Sequence, residues 1–266
     1  MRDLKQIREE VAACDAQLAR LLARRMDCLK EALLYKKGHG LPILEPATEN
    51  GQKTGAEKER GPADPARDVY GEELEQIFAC ISQMGKKVQG KALLDHNIAL
   101  IGFMGVGKST VSHCLRDLLA MEEAETDAMV VEAEGMAITD IFAKYGEPYF
   151  RRCESDAIIR LKNRRQVIIS CGGGAVTRQE NVECLKKSSR IVLLTATPET
   201  ILERVKNSRD RPILNGHMDL PYITGLMEKR REAYEAAADI TVSTDDKSVV
   251  EICEEIIQKA TAEDFS

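Results

Sequence analysis

The stretch Gly102-Phe103-Met104-Gly105-Val106-Gly107-Lys108-Ser109-Thr110 constrains this chain more than any other. It follows a short apolar run, Asn97–Ile101, and precedes a segment with helical spacing at Val111, Leu115, Leu118 and Leu119. Strand, glycine-rich turn and helix form the setting in which the pattern Gly-x-x-x-x-Gly-Lys-Ser/Thr cradles phosphate. Glycines let backbone N–H groups curl around phosphate oxygens, and the helix N-terminus behind them adds partial positive charge. Lys108 then reaches the β- and γ-phosphates, and the Ser109 hydroxyl ligates Mg²⁺. The stretch reads as a nucleotide-binding loop, with Gly105, Val106, Gly107, Lys108, Ser109 and Thr110 around the phosphates.

The rest of the sequence bounds what surrounds that loop. Its 266 residues suffice for one large domain or two smaller ones. With 43% hydrophobic and 31% charged residues, a folded soluble protein is expected. A formal charge of −6 argues against general affinity for nucleic acid or anionic membranes. The eight cysteines contain no C-x-x-C pair and read as reduced, mostly buried thiols. No signal peptide opens the chain and no apolar run is long enough to span a bilayer, so a cytoplasmic protein is expected.

From Leu4 to Lys37 the spacing predicts one long helix. Leu4, Ile7, Val11, Cys14, Leu18 and Leu21 repeat at the interval of a helix packed on other helices. The next seam position is Arg25, a guanidinium that needs an anion if buried. Arg8, Arg25 and Lys36 read, taken alone, as solvated surface charges. A further helix over Glu72–Gln89 carries Leu74, Ile77, Phe78 and Ile81 on one face. Between the two, Ala47–Arg67 holds Gly51, Gly55, Gly61, Pro62 and Pro65 with no Leu, Ile, Val, Met or aromatic residue. Such a stretch cannot bury an apolar face and reads as a flexible linker.

The order Ile7-Arg8-Glu9-Glu10-Val11, Asp15, Leu18, Leu21-Leu22, Arg24-Arg25, Lys36 and Leu41-Pro42-Ile43 resembles the start of an all-helical chorismate mutase domain. The resemblance implies a dicarboxylate held by Arg8 and Arg25, with Lys36 and Gln89 at the ether oxygen and Glu45 and Glu49 on a second helix. Catalysis in that family comes from conformational restriction and electrostatic stabilisation. Thr48 stands where the family usually has arginine, Gly85 where it often has serine, and the polar break degrades or removes the second helix. Two readings stay open for residues 1–90: a retained rearrangement of chorismate, or a non-catalytic dimerisation or regulatory module. A homodimer through this helical region is expected by the same resemblance.

Beyond Asp95, apolar strand candidates alternate with helical stretches: Asn97–Ile101, Val167–Ser170, Ile191–Thr195 and Ile240–Val242, with a further, polar strand placed at Met121–Ala124. A parallel sheet with helices on both faces is the natural architecture, with ligand loops at the carboxyl ends of the strands. Five further segments follow the loop: Glu125-Thr126-Asp127, Gly146 to Glu154, Ser170-Cys171-Gly172-Gly173-Gly174-Ala175, Arg209 to Leu214, and Arg230-Arg231-Glu232-Ala233-Tyr234 on a late helix. Each has a bland alternative. Asp127 suits a helix start, the triple glycine a tight turn, and Arg151–Glu154 a surface ion pair worth little.

Together with the glycine loop, these segments resemble shikimate kinase over essentially the whole of residues 97–255. The resemblance implies a P-loop kinase fold of the nucleoside-monophosphate-kinase type: a parallel five-stranded sheet flanked by helices over residues 95–262. A small all-α mutase-like domain over 1–90, with its polar break at 46–70, precedes it. It also implies ATP-dependent phosphorylation of the 3-hydroxyl of shikimate. Arg151 and Arg230 would hold the substrate carboxylate, Gly173 would support the ring hydroxyls, and Asp127 would accept the proton. Glu154 would orient Arg151. Lys108 and Arg211 would stabilise the transferring phosphoryl, Arg204 would lie against the adenine, and Ser109 and Glu125 would face Mg²⁺. Glu125 replaces the family's aspartate, and the strand before it, Met121-Glu122-Glu123-Ala124, is polar for a buried strand. A gluconate-type kinase is the alternative within the same fold, and a P-loop regulator without kinase activity is the remaining one.

Overall fold

The computed structural model describes residues 3–43, 65–206 and 219–262, with backbone alone at 65–69. The chain divides into two units, residues 1–92 and 93–266. In the first, helix α1 runs Leu4–Gly38 without interruption, as the apolar spacing predicts. Gln6 Oε1 accepts a hydrogen bond from the Asp3 backbone N–H at 3.3 Å and closes the helix start. Helix α2 spans Pro65–Leu93, with one non-helical residue at Tyr70 (φ −129°, ψ 33°). It begins inside the stretch read as linker, because proline with its fixed φ and missing N–H suits the first turn of a helix. The rest of that stretch, with Glu45, Thr48 and Glu49, lies outside the described residues.

The two helices touch at Gly85, where an added Cβ would lie 2.9 Å from Leu29 Cδ1 and 3.1 Å from Arg25 Nη1. The N-terminal part of the apolar seam is uncovered among the described residues. Leu4, Val11, Leu18 and Leu21 are 55–62% exposed, and Leu33 is the buried residue of α1. A face expected to pack on other helices thus meets no described partner within its own chain.

The second unit contains five parallel strands in the order β2-β3-β1-β4-β5. They are β1 (Asn97–Ile101), β2 (Glu122–Glu125), β3 (Val167–Ser170), β4 (Ser189–Thr195) and β5 (Ile240–Ser243). β1 and β3 are buried along their whole length, so both read as unbroken apolar runs. Asn97 begins β1 with its side chain fully buried. Its Nδ2 donates to Arg164 O at 2.9 Å and its Oδ1 accepts from Val167 N at 3.0 Å. That pair of bonds sets β3 beside β1.

Helix α3 (Lys108–Leu119) joins β1 to β2. Helices α4 (Thr126–Glu134), α5 (Ile138–Tyr145) and α6 (Glu147–Leu161) lead on to β3. After β3 come α7 (Gln179–Lys186), β4, α8 (Pro198–Val205), α9 (Leu220–Ala237), β5 and α10 (Val249–Thr261). The chain moves outward from β1 to β2 in one direction and from β3 to β4 in the other. Right-handed crossovers then place α3 on one face and α7 on the opposite one. α10 packs on α3 and β5, while α7 and α9 cover β4. Ser248 caps α10: its hydroxyl accepts from Glu251 N, and Glu251 Oε2 accepts from Ser248 N at 2.7 Å.

The polar β2 is explained by its place. It is an edge strand bonded to β3 alone, and only Ala124 is fully buried. Glu122 pairs with Arg164 at the surface, and Glu123 turns toward α3. Beyond this edge, Val130, Ile141, Phe150 and Ala157 form a separate apolar cluster that binds α4, α5 and α6 into one layer. That layer carries Asp127 and Arg151.

Candidate active site at the carboxyl ends of the strands

The loops at the carboxyl ends of the strands enclose a cavity of about 750 Å³, lined among others by Lys108, Ser109, Asp127, Arg151, Arg204 and Arg230. Its floor is the glycine loop after β1. Gly105 has φ 79°, and a Cβ there would meet Val205 Cγ1 at 2.6 Å, so both the backbone conformation and the space require glycine. Lys108, the first residue of α3, donates to the carbonyls of Gly102 at 2.9 Å and Phe103 at 3.1 Å. The ammonium is thereby held over the loop. Ser109 Oγ donates to Glu125 Oε1 at 2.8 Å, which joins the loop helix to the end of β2.

The opposite wall is built on α4, α6 and the loop after β3. Thr126, fully buried, accepts a hydrogen bond from Gly172 N at 2.9 Å and ties the start of α4 to that loop. Gly172 admits no side chain: a Cβ would press on Glu154 Oε1 and on Asp127 Oδ1, which lies 2.5 Å from it. At Gly174 the obstacle is the Arg151 guanidinium itself. The triple glycine is therefore a close-approach device that lets one guanidinium and two carboxylates sit against the backbone.

Arg151 is 11% exposed and doubly paired, with Glu154 Oε2 at 2.8 Å and Glu147 Oε1 at 2.9 Å. Glu154 is fully buried. Burial holds its carboxyl above the usual carboxylate range, Arg151 pulls the other way, and the charge of Asp127 pushes it up further. From α9, Arg230 Nη1 donates to Gly173 O at 3.0 Å and the Tyr234 hydroxyl donates to the same oxygen at 2.5 Å. Burial also raises the Tyr234 hydroxyl and pushes the Cys171 thiol up to about 12. Both are neutral in the neutral pH range. On the far side of the loop, Arg204 donates to Val106 O at 3.2 Å, Thr244 Oγ1 at 3.0 Å and Thr244 O at 3.2 Å. Its guanidinium is a fixed plane beside the loop.

Comparison with known proteins decides between the kinases that share this fold. The family model for shikimate kinase matches residues 104–261. The chain belongs to the shikimate kinase family. The shikimate kinase of Dehalococcoides mccartyi strain BAV1 is 43% identical over 161 residues, covering 60% of this chain and 91% of that one. That of Geobacter metallireducens is 39% identical over 160 residues, covering 60% and 89%. Among solved structures, shikimate kinase from Acinetobacter baumannii in complex with shikimate is 32% identical with a TM-score of 0.61. It covers 64% of this chain and 95% of that one. The Aquifex aeolicus enzyme is 37% identical with a TM-score of 0.54, covering 61% and 95%. Residues 7–90 match the family model for chorismate mutase type II.

Within this member of the shikimate kinase family, the structure gathers Lys108, Ser109, Glu125, Asp127, Arg151, Gly173, Arg204 and Arg230 around one cavity. Gly173 is held in that wall by its carbonyl, which accepts from Arg230 and Tyr234. Arg211 lies outside the described residues. Tyr234 was not singled out by the sequence, although its spacing of four from Arg230 places both on one helix face. Gly172 and Thr126 stand in segments the sequence marks, but only the fold shows what they touch.

The helical unit behaves differently. Arg8 and Arg25 are exposed, and Lys36 and Gln89 are half-buried. Seventeen residues of continuous helix separate Arg8 from Arg25, about 26 Å at 1.5 Å per residue. The two guanidiniums of one chain cannot grip the same small dicarboxylate.

Proposed function

We propose that the site transfers the γ-phosphoryl group of ATP to the 3-hydroxyl of shikimate, with Asp127 as proton acceptor. The observation that carries the reading is the meeting of three cations and one carboxylate, Lys108, Arg151, Arg230 and Asp127, around one cavity. Arg151 and Arg230 suit a planar carboxylate by bidentate pairing. Glu154 and Glu147 fix Arg151, while the Gly173 carbonyl fixes Arg230 and Tyr234 on the same wall. The acceptor ring is then gripped by its carboxylate, with its hydroxyl directed at Asp127. As the hydroxyl oxygen bonds to phosphorus and the bond to the β,γ-bridging oxygen breaks, the hydroxyl proton passes to Asp127. Lys108 neutralises charge on the transferred group, because in phosphoryl transfer the protein mainly positions and neutralises. Arg211 joins it on the strength of the resemblance alone, and Arg204 offers a plane for adenine.

Ser109 Oγ and Glu125 Oε1, 2.8 Å apart at the loop, are hard oxygen donors of the kind Mg²⁺ takes alongside phosphate oxygens. When bound there, Mg²⁺ supplies charge neutralisation at the β- and γ-phosphates. The kinase relatives favour shikimate over a gluconate-type acceptor. A coupled assay of ADP release against shikimate, quinate and gluconate tests this: turnover is expected with shikimate, and equal turnover with gluconate would overturn the reading.

For the helical unit we propose a homodimer, in which Arg8 of a second copy completes the grip begun by Arg25. The exposed seam of Leu4, Val11, Leu18 and Leu21 supports it. So does the separation along α1 that keeps Arg8 from Arg25 within one chain. The ligand of such a site is a dicarboxylate, chorismate by the family resemblance. Eight free cysteines accord with a reducing cytoplasm. No described helix is long and apolar enough to cross a membrane.

A further inference from the structure

Outside the cavity lining, α3 and β2 are laced together by side chains. Ser112, fully buried, donates to Glu123 Oε1 at 2.6 Å. Arg116 Nη1 donates to Glu123 Oε2 at 2.9 Å, and His113 Nε2 lies 3.6 Å from the same oxygen. Nearer the loop, Ser109 meets Glu125. Ser109, Ser112 and Arg116 stand at intervals of three and four and share one helix face. Glu123 and Glu125 stand two apart and share one face of the strand. The contacts therefore form a ladder, with Ser109 on Glu125 at the active end and Ser112 and Arg116 on Glu123 behind it.

Fold stability alone is a weak reason for this arrangement. A carboxylate only 13% exposed carries a desolvation cost, and an apolar residue would cover the helix as well or better. What a charged, multiply bonded group gives is one register. β2 needs that, since as an edge strand it is aligned by hydrogen bonds to β3 alone. A slip of β2 along α3 would part Glu125 from Ser109 and carry Asp127, two residues on, with it.

We propose that Glu123 is a positioning residue for the phosphate and metal end of the reaction. Through Ser112 and Arg116 it fixes β2 against α3, so that Glu125 and Ser109 meet and Asp127 faces the transferred group. The inference rests on the assignment of Ser109 and Glu125 given above. It separates the two halves of the site: Arg151 and Arg230, on α6 and α9, make none of the ladder's contacts and are held instead by Glu154, Glu147 and the Gly173 carbonyl.

The test is steady-state kinetics of the full chain for Glu123→Gln, Arg116→Met and the double variant, with Glu125→Gln as reference and thermal melting alongside. The expected result for Glu123→Gln is an about tenfold rise in the Mg²⁺ concentration giving half-maximal turnover, as for other groups that orient a ligand. KM for ATP should rise with it, and KM for shikimate should stay within about twofold. Arg116→Met, on a side chain 40% exposed, should shift the same constants in the same direction with little change in melting. The double variant should fall short of the sum of the two. Lowered melting with every kinetic constant unchanged would overturn the proposal, as would an equal rise in KM for shikimate. If Glu125→Gln shifts the Mg²⁺ dependence and Glu123→Gln and Arg116→Met do not, the positioning role alone falls. If Glu125→Gln leaves it unmoved, the metal assignment falls and takes this inference with it.

Discussion

In the sheet unit, Ile98, Leu100, Ile168 and Ile191 are fully buried, and Glu125 and Arg230 beside that core meet Ser109 and the Gly173 carbonyl from neighbouring elements. In the helical unit, Leu4, Val11, Leu18 and Leu21 are more than half exposed, and the arginines on the same helix are strung along its length. The contrast teaches where one chain suffices. Five strands and their crossovers turn sequence-distant residues to one end of a sheet, so a single copy encloses a site. A long helix keeps its residues in line, and only another helix can bring distant ones together.

The sharpest way to break this comparison is to disable the enclosed site by one atom group. Lys108→Ala and Asp127→Asn should each lower shikimate-dependent ADP formation by about 10³-fold, with melting little changed. Near-normal turnover by Asp127→Asn would remove it as proton acceptor. Next in size is the buried pair under the substrate arginine. Glu154→Ala leaves the Arg151 guanidinium short of its buried partner and should destabilise the fold by about 3–5 kcal/mol, read by denaturant unfolding.

A subtler probe of the same wall is Tyr234→Phe, which removes one of the two donors on the Gly173 carbonyl. KM for shikimate should rise by about three- to tenfold with kcat less affected, as expected for one lost hydrogen bond. Glu154→Gln gives a pH signature. The raised carboxyl means the folded state binds the extra proton over the window above the ordinary glutamate range. There ν for the folded state exceeds ν for the unfolded one, so this group lowers stability as pH rises through that window. The variant should show a flatter fall of stability with pH there than the parent, and an identical profile would contradict the shift. The smallest kinase effect belongs to the other unit. Leu21→Glu should leave the protein monomeric by light scattering where the parent forms the proposed dimer, with kinase turnover per chain unchanged.

The glycine loop, the long first helix and the alternation of strands with helices were legible because each is a local pattern of a few residues. Asp127, Arg151 and Arg230, which the structure brings to one cavity, stood out only once the loop had given the surrounding segments a common purpose. β2 was harder to read. Glu122 and Glu123 look wrong for a buried strand until the sheet order shows an edge, with Arg164 outside and Ser112 and Arg116 beneath. Tyr234 and Thr126 were illegible for another reason: each acts on a backbone group of the loop after β3, and backbone carbonyls and amides leave no mark in a sequence. Pro65 reads as linker from composition because proline and glycine punctuate both loops and helix starts, and composition alone does not separate the two.

The central division is between a kinase site enclosed by one chain and a helical unit proposed to need a second copy. The direct measurement is molar mass by sedimentation and shikimate-dependent ADP formation on the same samples through a dilution series. Mass should fall toward the 29.5 kDa of one chain while turnover per chain stays constant. Turnover that falls in step with mass would contradict that division, because the kinase site would then depend on the second copy as well.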